Sequence, residues 1–244
     1  MIRTLQALAL LTALGLSVSL GAGMADDPEA KALLARFQAL REVGKCLDDA
    51  LDGKTSGAIT GPVGFGPGVN AEKNPADQAA LFPEGRVEAV YIRYGPLLPQ
   101  RGRFECDLRT DQLPADYNML SIASIGTAGN TKLMLRLNLD RRLSATVLTK
   151  RESVVLTSDP VSLGQWHQDQ YWYGPEGAVL TVDGVIADYS TDWSAPYAFG
   201  HYDAFYLGDQ PWWEGKPAFY ALDSFVGRLD NVRLTALETE RTGK

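Results

Sequence analysis

From about residue 86 onward, apolar and polar residues alternate in short runs separated by turn residues. Such runs predict strands over 86–94, 102–109, 119–125, 132–139, 143–149 and 153–157. In the fourth run Leu133, Leu135, Leu137 and Leu139 alternate with Met134, Arg136, Asn138 and Asp140, the signature of a half-buried antiparallel strand. In the second, Phe104, Cys106 and Leu108 form an inner side and Glu105 and Asp107 a solvent side. The sharpest local signal is Asp183-Gly184 between Ala178–Val182 and Val185–Tyr189. Asp-Gly suits a two-residue hairpin turn, because both central positions need positive φ. Unbroken pairing across it would put Ala178, Leu180 and Val182 on one core-facing side with Val185, Ala187 and Tyr189.

The pattern before residue 54 differs. Leu33, Phe37, Leu40, Gly44, Leu47 and Leu51 recur at spacings of three and four, predicting one helix over 28–51. Asp27 is its N-cap, Pro28 suits the first turn, and Gly53 is a stop. Between 57 and 68 Gly and Pro are dense. One helix followed by many short strands predicts an all-β antiparallel two-sheet sandwich with a short N-terminal helix.

The first 25 residues read as a secretory signal. Arg3 supplies the positive end, Ala7 to Leu20 the apolar run, and Gly23-Met24-Ala25 the small residues before a cut. The run is shorter than the roughly 20 residues a bilayer span needs, and no later segment is long and apolar enough to span. The expected organisation is a signal peptide over 1–25, a helical segment over 26–53 and a β domain over 54–240. The expected location is secreted or periplasmic, with no transmembrane anchor after cleavage. In such a compartment the two cysteines, Cys46 and Cys106, are expected to form a disulfide; two buried free thiols are the alternative.

The chain has 244 residues and a net charge of −7, with no Lys/Arg cluster, which argues against a nucleic-acid partner. All five Trp fall between 166 and 213. Trp193, Tyr197, His201, Tyr202, Trp212 and Trp213 sit among Pro, Gly and Asp, so they read as loop residues. Flat aromatic faces stack on sugar rings, so these six are the candidate ligand platform; plugging one end of the sandwich is the alternative. No nucleophile elbow and no phosphate-cradling loop is present.

An ordered set of motifs then carries a resemblance. Leu163-Gly-Gln-Trp-His167 is followed by Asp183-Gly184, Leu207-Gly-Asp209 and Phe225-Val-Gly-Arg-Leu-Asp-Asn-Val-Arg-Leu234. This resembles the C-terminal half of laminin-G-like and concanavalin A-like jelly-roll domains, with looser agreement before residue 130. The resemblance implies a jelly-roll sandwich and a role for His167 as a hydrogen-bonded framework residue. It implies a structural calcium near Asp230, a turn-bonding Asp being the alternative, with Asp183 a weaker ligand candidate. It also offers an enzyme test. Laminarinase-type glucanases of this fold carry Glu-x-Asp-x-Glu or Glu-x-Asp-x-x-Glu, whose carboxylates act as nucleophile and acid. Here Glu105-Cys-Asp107 begins the motif, but Arg109 and Thr110 stand where the acid is needed. No catalytic residue is assigned. The expectation is a non-catalytic module that binds carbohydrate or an extracellular protein. The alternatives are a polysaccharide-active enzyme using His201, Tyr202, Asp203 or Glu214, and a structural envelope or adhesion protein.

Overall fold

The computed structural model describes residues 24–47, 58–60, 63–82, 89–93, 99–113, 119–127, 130–148, 153–191, 204–208 and 225–239. The expected signal peptide lies outside them, apart from a single 3-10 turn at Met24–Asp26. Among the described residues fifteen strands follow one helix, α1 (Pro28–Gln38). They are β1 (Arg41–Leu47), β2 (Ala58–Thr60), β3 (Gly64–Pro67), β4 (Gln78–Phe82), β5 (Ala89–Arg93), β6 (Gly102–Arg109), β7 (Met119–Thr127) and β8 (Asn130–Asn138). Then come β9 (Arg142–Leu148), β10 (Ser153–Pro160), β11 (His167–Gly174), β12 (Gly177–Val182), β13 (Val185–Ser190), β14 (Ala204–Leu207) and β15 (Gly227–Glu238).

The strands form two antiparallel sheets, as the alternating pattern predicts. The first runs β13-β12-β11-β6-β15-β4-β3, with β1 also paired to β15; the second runs β10-β9-β8-β7-β14-β5-β2. Their inner faces enclose the main core. Phe104, Leu108, Tyr171, Leu180, Leu229 and Leu234 come from the first sheet, and Leu120, Ile125, Leu133, Leu135, Ala145 and Leu156 from the second. The two sheets also meet along one edge. There the Thr157 N–H of β10 donates to Asp188 Oδ2 of β13 at 2.9 Å.

The helix is shorter than its periodicity predicts. Asp27 caps it as expected, accepting from the N–H groups of Glu29 and Ala30. It stops at Gln38, and residues 41–47 form β1 instead; residues 48–51 lie outside the described set. The reason is tertiary. Twelve-residue β15 pairs with β4 only over Gly227–Leu229, leaving the same side of its C-terminal half without a partner. Residues 41–47 fill that side from Leu234 to Glu238. Satisfying a row of backbone groups outweighs a weak helical preference.

The truncated helix packs on the outer face of the first sheet. Ala30, Leu33 and Phe37 meet Trp172, Val179, Ile186 and Leu237 in a second, smaller core. The Phe37 and Trp172 rings lie 6.3 Å apart, and the Arg103 guanidinium sits 4.9 Å from the Trp172 ring centre. Tyr189 Oη lies 3.3 Å from both Asp27 Oδ2 and Glu29 Oε2, tying the helix start to β13.

This second core rests on a departure from the expected hairpin register. The Asp183-Gly184 turn is present, with φ of 53° and 77°. Val182 faces Val185 and Thr181 faces Ile186, but Leu180 then faces Asp188 and Val179 faces Tyr189. The extra residue is a β-bulge, which rotates Tyr189 to the Val179 side. Tyr189 therefore joins the helix-facing cluster and not the main core.

The expected disulfide is not formed. Cys106 is a free thiol, 1% exposed on the inner side of β6. Strand β15 lies between β1, which carries Cys46, and β6. Two strand spacings put their backbones roughly 10 Å apart, beyond the ~7 Å that a bridge tolerates between Cα atoms. Burial, with the charges of Asp169, Asp107 and Glu105, pushes the Cys106 thiol well up.

Asp169 also points inward, from β11, and is fully buried. Neither carboxylate oxygen has a hydrogen-bond partner. Burial, then the charge of Asp183, pushes its pKa up to about 7. A carboxyl raised in the folded state holds its proton there and loses it in the unfolded chain. Its contribution is therefore most favourable below about pH 4 and is lost as pH rises to about 7, a swing on the order of 4 kcal/mol. Asp169→Asn should raise the melting temperature by several degrees at pH 8 and by much less at pH 4.5. Equal shifts at both pH values would disprove the charge-burial explanation. Phe37→Ala should weaken helix docking by about 3 kcal/mol. Hydrogen exchange is then expected to accelerate over 28–38 while the β6 and β11 amides stay protected.

Candidate functional site

On its outer face the first sheet carries rows of polar side chains running across three adjacent strands. Gln168 of β11 lies opposite Asp107 of β6, which lies opposite Asp230 of β15. One step along, Gln170 lies opposite Glu105, which lies opposite Arg233. As the alternation predicts, Glu105 and Asp107 face outward while Phe104, Cys106 and Leu108 face the core.

A β-bulge between Asp230 and Arg233 shapes this surface. Asn231 takes a left-handed conformation, φ 49°, so Val232 still reaches the core. Asn231 is thereby aimed beside Asp230, and its amide donates to Asp107 Oδ2 at 2.7 Å. Loop 68–77 forms the adjoining wall. Val69 N–H donates to Asp230 Oδ2 at 2.9 Å, and Asn70 N–H donates to Asp77 Oδ2 at 2.7 Å. Gly68 is required here, since a Cβ would stand 2.7 Å from Asp230 Oδ2 and closer still to Asp77.

Loop and strands together enclose a cleft of about 360 Å³, lined by Asn70, Glu105, Asp107, Gln168, Asn231 and Arg233 with Val69 and Cys106. Arg103 Nε lies 2.9 Å from Glu105 Oε2, and Arg233 Nη1 lies 3.6 Å from Glu105 Oε1. Arg103 also reaches Glu42 of β1 at 2.9 Å. Burial is the main force lifting the Asp107 carboxyl above its ordinary value. The Asn231 amide opposes that lift, and the nearby Asp230 and Glu105 charges add to it.

Asp230 is 4% exposed, and both its oxygens accept from backbone N–H groups, of Val69 and of Asn231. Among the described residues no three His, Cys, Asp or Glu side chains converge as a metal would require. Calcium takes six to eight oxygen ligands, and both Asp230 oxygens are already engaged by N–H donors. Asp230 is a clamp between the closing strand and loop 68–77. Asp183 is likewise committed: Oδ2 lies 2.7 Å from His167 Nδ1 and Oδ1 accepts from Gln168 N–H. His167 Nε2 lies 3.0 Å from the Ser162 carbonyl oxygen. Both ring nitrogens are engaged, as a framework histidine requires.

A second cleft, of about 400 Å³, lies beside His167 between β10 and the β12–β13 hairpin. Its polar groups are spent internally. His167 and Asp183 bind each other, and Ser158 Oγ accepts from Leu143 N–H and donates to the Asp159 carbonyl. The cleft over β6 and β15 differs. The side-chain amides of Asn70 and Gln168 and the Oδ1 of Asp107 have no protein hydrogen bond among the described residues, and so remain available to a ligand.

The six loop aromatics, Trp193, Tyr197, His201, Tyr202, Trp212 and Trp213, lie outside the described residues. So do Asp203 and Glu214. The glucanase comparison can be completed. Arg109 pairs with Asp111 at 2.8 Å, and Thr110 is buried with its hydroxyl donating to the Val226 carbonyl. Neither supplies an acid. The cleft residues Asn70, Gln168, Asn231 and Arg233 were not singled out by the sequence. Gln168 and Gln170 alternating with Asp169 and Tyr171 marked a polar strand face, but nothing marked the bulge that brings Asn231 to it.

The sequence profile of the laminin G domain family matches residues 119–236. Domain 4 of AbnA, an extracellular arabinanase from Geobacillus stearothermophilus solved with arabinotriose, superposes with a TM-score of 0.57 at 16% identity. It covers 82% of this chain and 96% of that one. The receptor-binding domain of botulinum neurotoxin type G gives a TM-score of 0.51 at 10% identity, covering 82% of this chain and 47% of that one. Domains LG4-5 of the mouse laminin alpha1 chain give 0.47 at 22% identity, covering 66% of this chain and 42% of that one. No curated protein sequence matches. At such identities the first two superpositions speak for the fold alone, and they agree with the two-sheet sandwich described above. Residues 119–236 are thus similar to laminin G domains, and they sit in a sandwich that also recruits the strands before residue 119.

Proposed function

We propose that the protein is an exported, non-catalytic recognition module that holds a carbohydrate in the cleft over β6, β11 and β15. The observation that carries this reading is the set of amide and carboxylate groups left available there. Sugar hydroxyls both donate and accept, and planar amides and carboxylates fixed on a rigid sheet pair with them in defined directions. The groups are held from below by a closed core, so little ordering entropy is lost on binding. The laminin-G-like fold supports recognition as a role, and so does the likeness to the arabinanase domain solved with arabinotriose. The fold by itself does not assign a ligand. The glucanase motif begun at Glu105 stays incomplete, because Arg109 and Thr110 stand where its acid is needed. The aromatics Trp193, Tyr197, His201, Tyr202, Trp212 and Trp213 are our candidates for stacking on sugar rings. A signal cut after Ala25 would place the protein outside the cytoplasm.

The test is a glycan array probed with the chain from Asp26 onward, followed by titration of the best ligand. Gln168→Ala is expected to weaken binding about fivefold, the worth of one net hydrogen bond. Trp212→Ala should weaken it by tenfold or more if that side chain stacks on the ligand. Loss only in the tryptophan variant would move the site off the sheet face, and failure to bind any glycan would refute the reading.

A further inference from the structure

The charges around the cleft discriminate among glycans. Four carboxylates stand at or beside it: Asp77, Glu105, Asp107 and Asp230. Of the guanidiniums near them, Arg233 lines the cleft and stands 3.6 Å from Glu105, while Arg103 stands outside the lining, shared among Glu105, Glu42 and the Trp172 ring. A carboxylate or sulfate entering the cleft would meet Asp107 at close range, and the lining guanidinium, Arg233, already faces Glu105. Like charges at such distances cost affinity, and the partly desolvated position of Asp107 screens them poorly. A hydroxyl meets the opposite situation. Asp107 Oδ1 accepts from it, and the Asn70 and Gln168 amides can donate to it. The whole chain, at net charge −7, adds a weak repulsion of polyanions at a distance.

We propose that this cleft is selective for neutral sugar segments and excludes acidic ones such as uronate-bearing or sulfated chains, with Glu105 as the residue that enforces the exclusion. Glu105 does so by facing the Arg233 guanidinium, which would otherwise be an anion receptor on the same sheet face. This inference rests on the carbohydrate reading above and adds to it the ligand's charge class.

Two panels of matched length test it. One holds neutral arabino-, xylo- and gluco-oligosaccharides, and the other holds oligogalacturonates and heparin-derived fragments. Both are titrated against the chain from Asp26 onward at low ionic strength. The expected result is that the best neutral ligand binds at least tenfold more tightly than any acidic one. Glu105→Gln should then raise affinity for an acidic oligosaccharide by about tenfold. That gain should fade with added salt, while neutral binding changes little. A gain of binding cannot come from misfolding, and an unchanged melting profile confirms that the variant is folded. Wild-type affinity for acidic fragments equal to or above that for neutral ones overturns the inference and leaves the carbohydrate reading standing. No binding in either panel overturns both. An acidic gain absent from Glu105→Gln overturns the role given to Glu105.

Discussion

Backbone hydrogen bonding along β15 is the constraint on which the rest of this molecule depends. The strand is twelve residues long, and one side pairs with β6. No single neighbour covers its other side. Strand β4 takes the first three residues and β1 takes the last five. A central strand with half its polar groups facing nothing would cost several kcal/mol. The chain before the sandwich is drawn in to meet that demand, so the helix ends early and its remainder becomes a strand. Once β1 is in place, α1 is delivered onto the outer face of the same sheet, over Trp172 and Val179. The bulge in β15 separates its β4-paired segment from its β1-paired one, and the cleft opens at that bulge.

Much of the sandwich was legible because its signals are local. Alternation placed β6 at its observed boundaries, Asp-Gly marked the turn at 183–184, and the ordered run from His167 to Leu234 pointed to the fold family. What escaped depends on pairing between distant segments. Nothing near Leu180 signals that Ala187 will be squeezed out of register. Nothing near Cys46 reveals that β15 will separate it from Cys106. The same holds for the cleft. Glu105 and Asp107 were assigned to a solvent face correctly, but they become part of a recess only because a loop whose Val69 is 161 residues from Asp230 in sequence is pinned against it. A charged residue next to a closing-strand motif reads equally well as a metal ligand or a backbone clamp. Only its two N–H partners distinguish them.

Carboxylates in this protein do two opposite jobs. Asp230, Asp77 and Asp183 each accept from a backbone N–H group and hold loops to strands. They replace missing main-chain partners where the ladder ends. Asp169, two residues beyond His167 on the same strand, has none of these partners and sits against the core as a cost. The contrast shows that position relative to the end of a sheet, more than residue type, decides whether an acidic group consolidates the fold or strains it.

The contact between β10 and β13 has a consequence beyond closing the sandwich. These are edge strands of opposite sheets, and unprotected edges are where foreign strands add during aggregation. Here the Thr157 amide is already capped by the Asp188 carboxylate, an inward-turned charge on a strand that would otherwise offer an open ladder. A peptide approaching this seam would have to displace a carboxylate from its N–H donor before gaining one bond of its own. Folding thus withdraws these two edge strands, among the described residues, from intermolecular pairing at this seam.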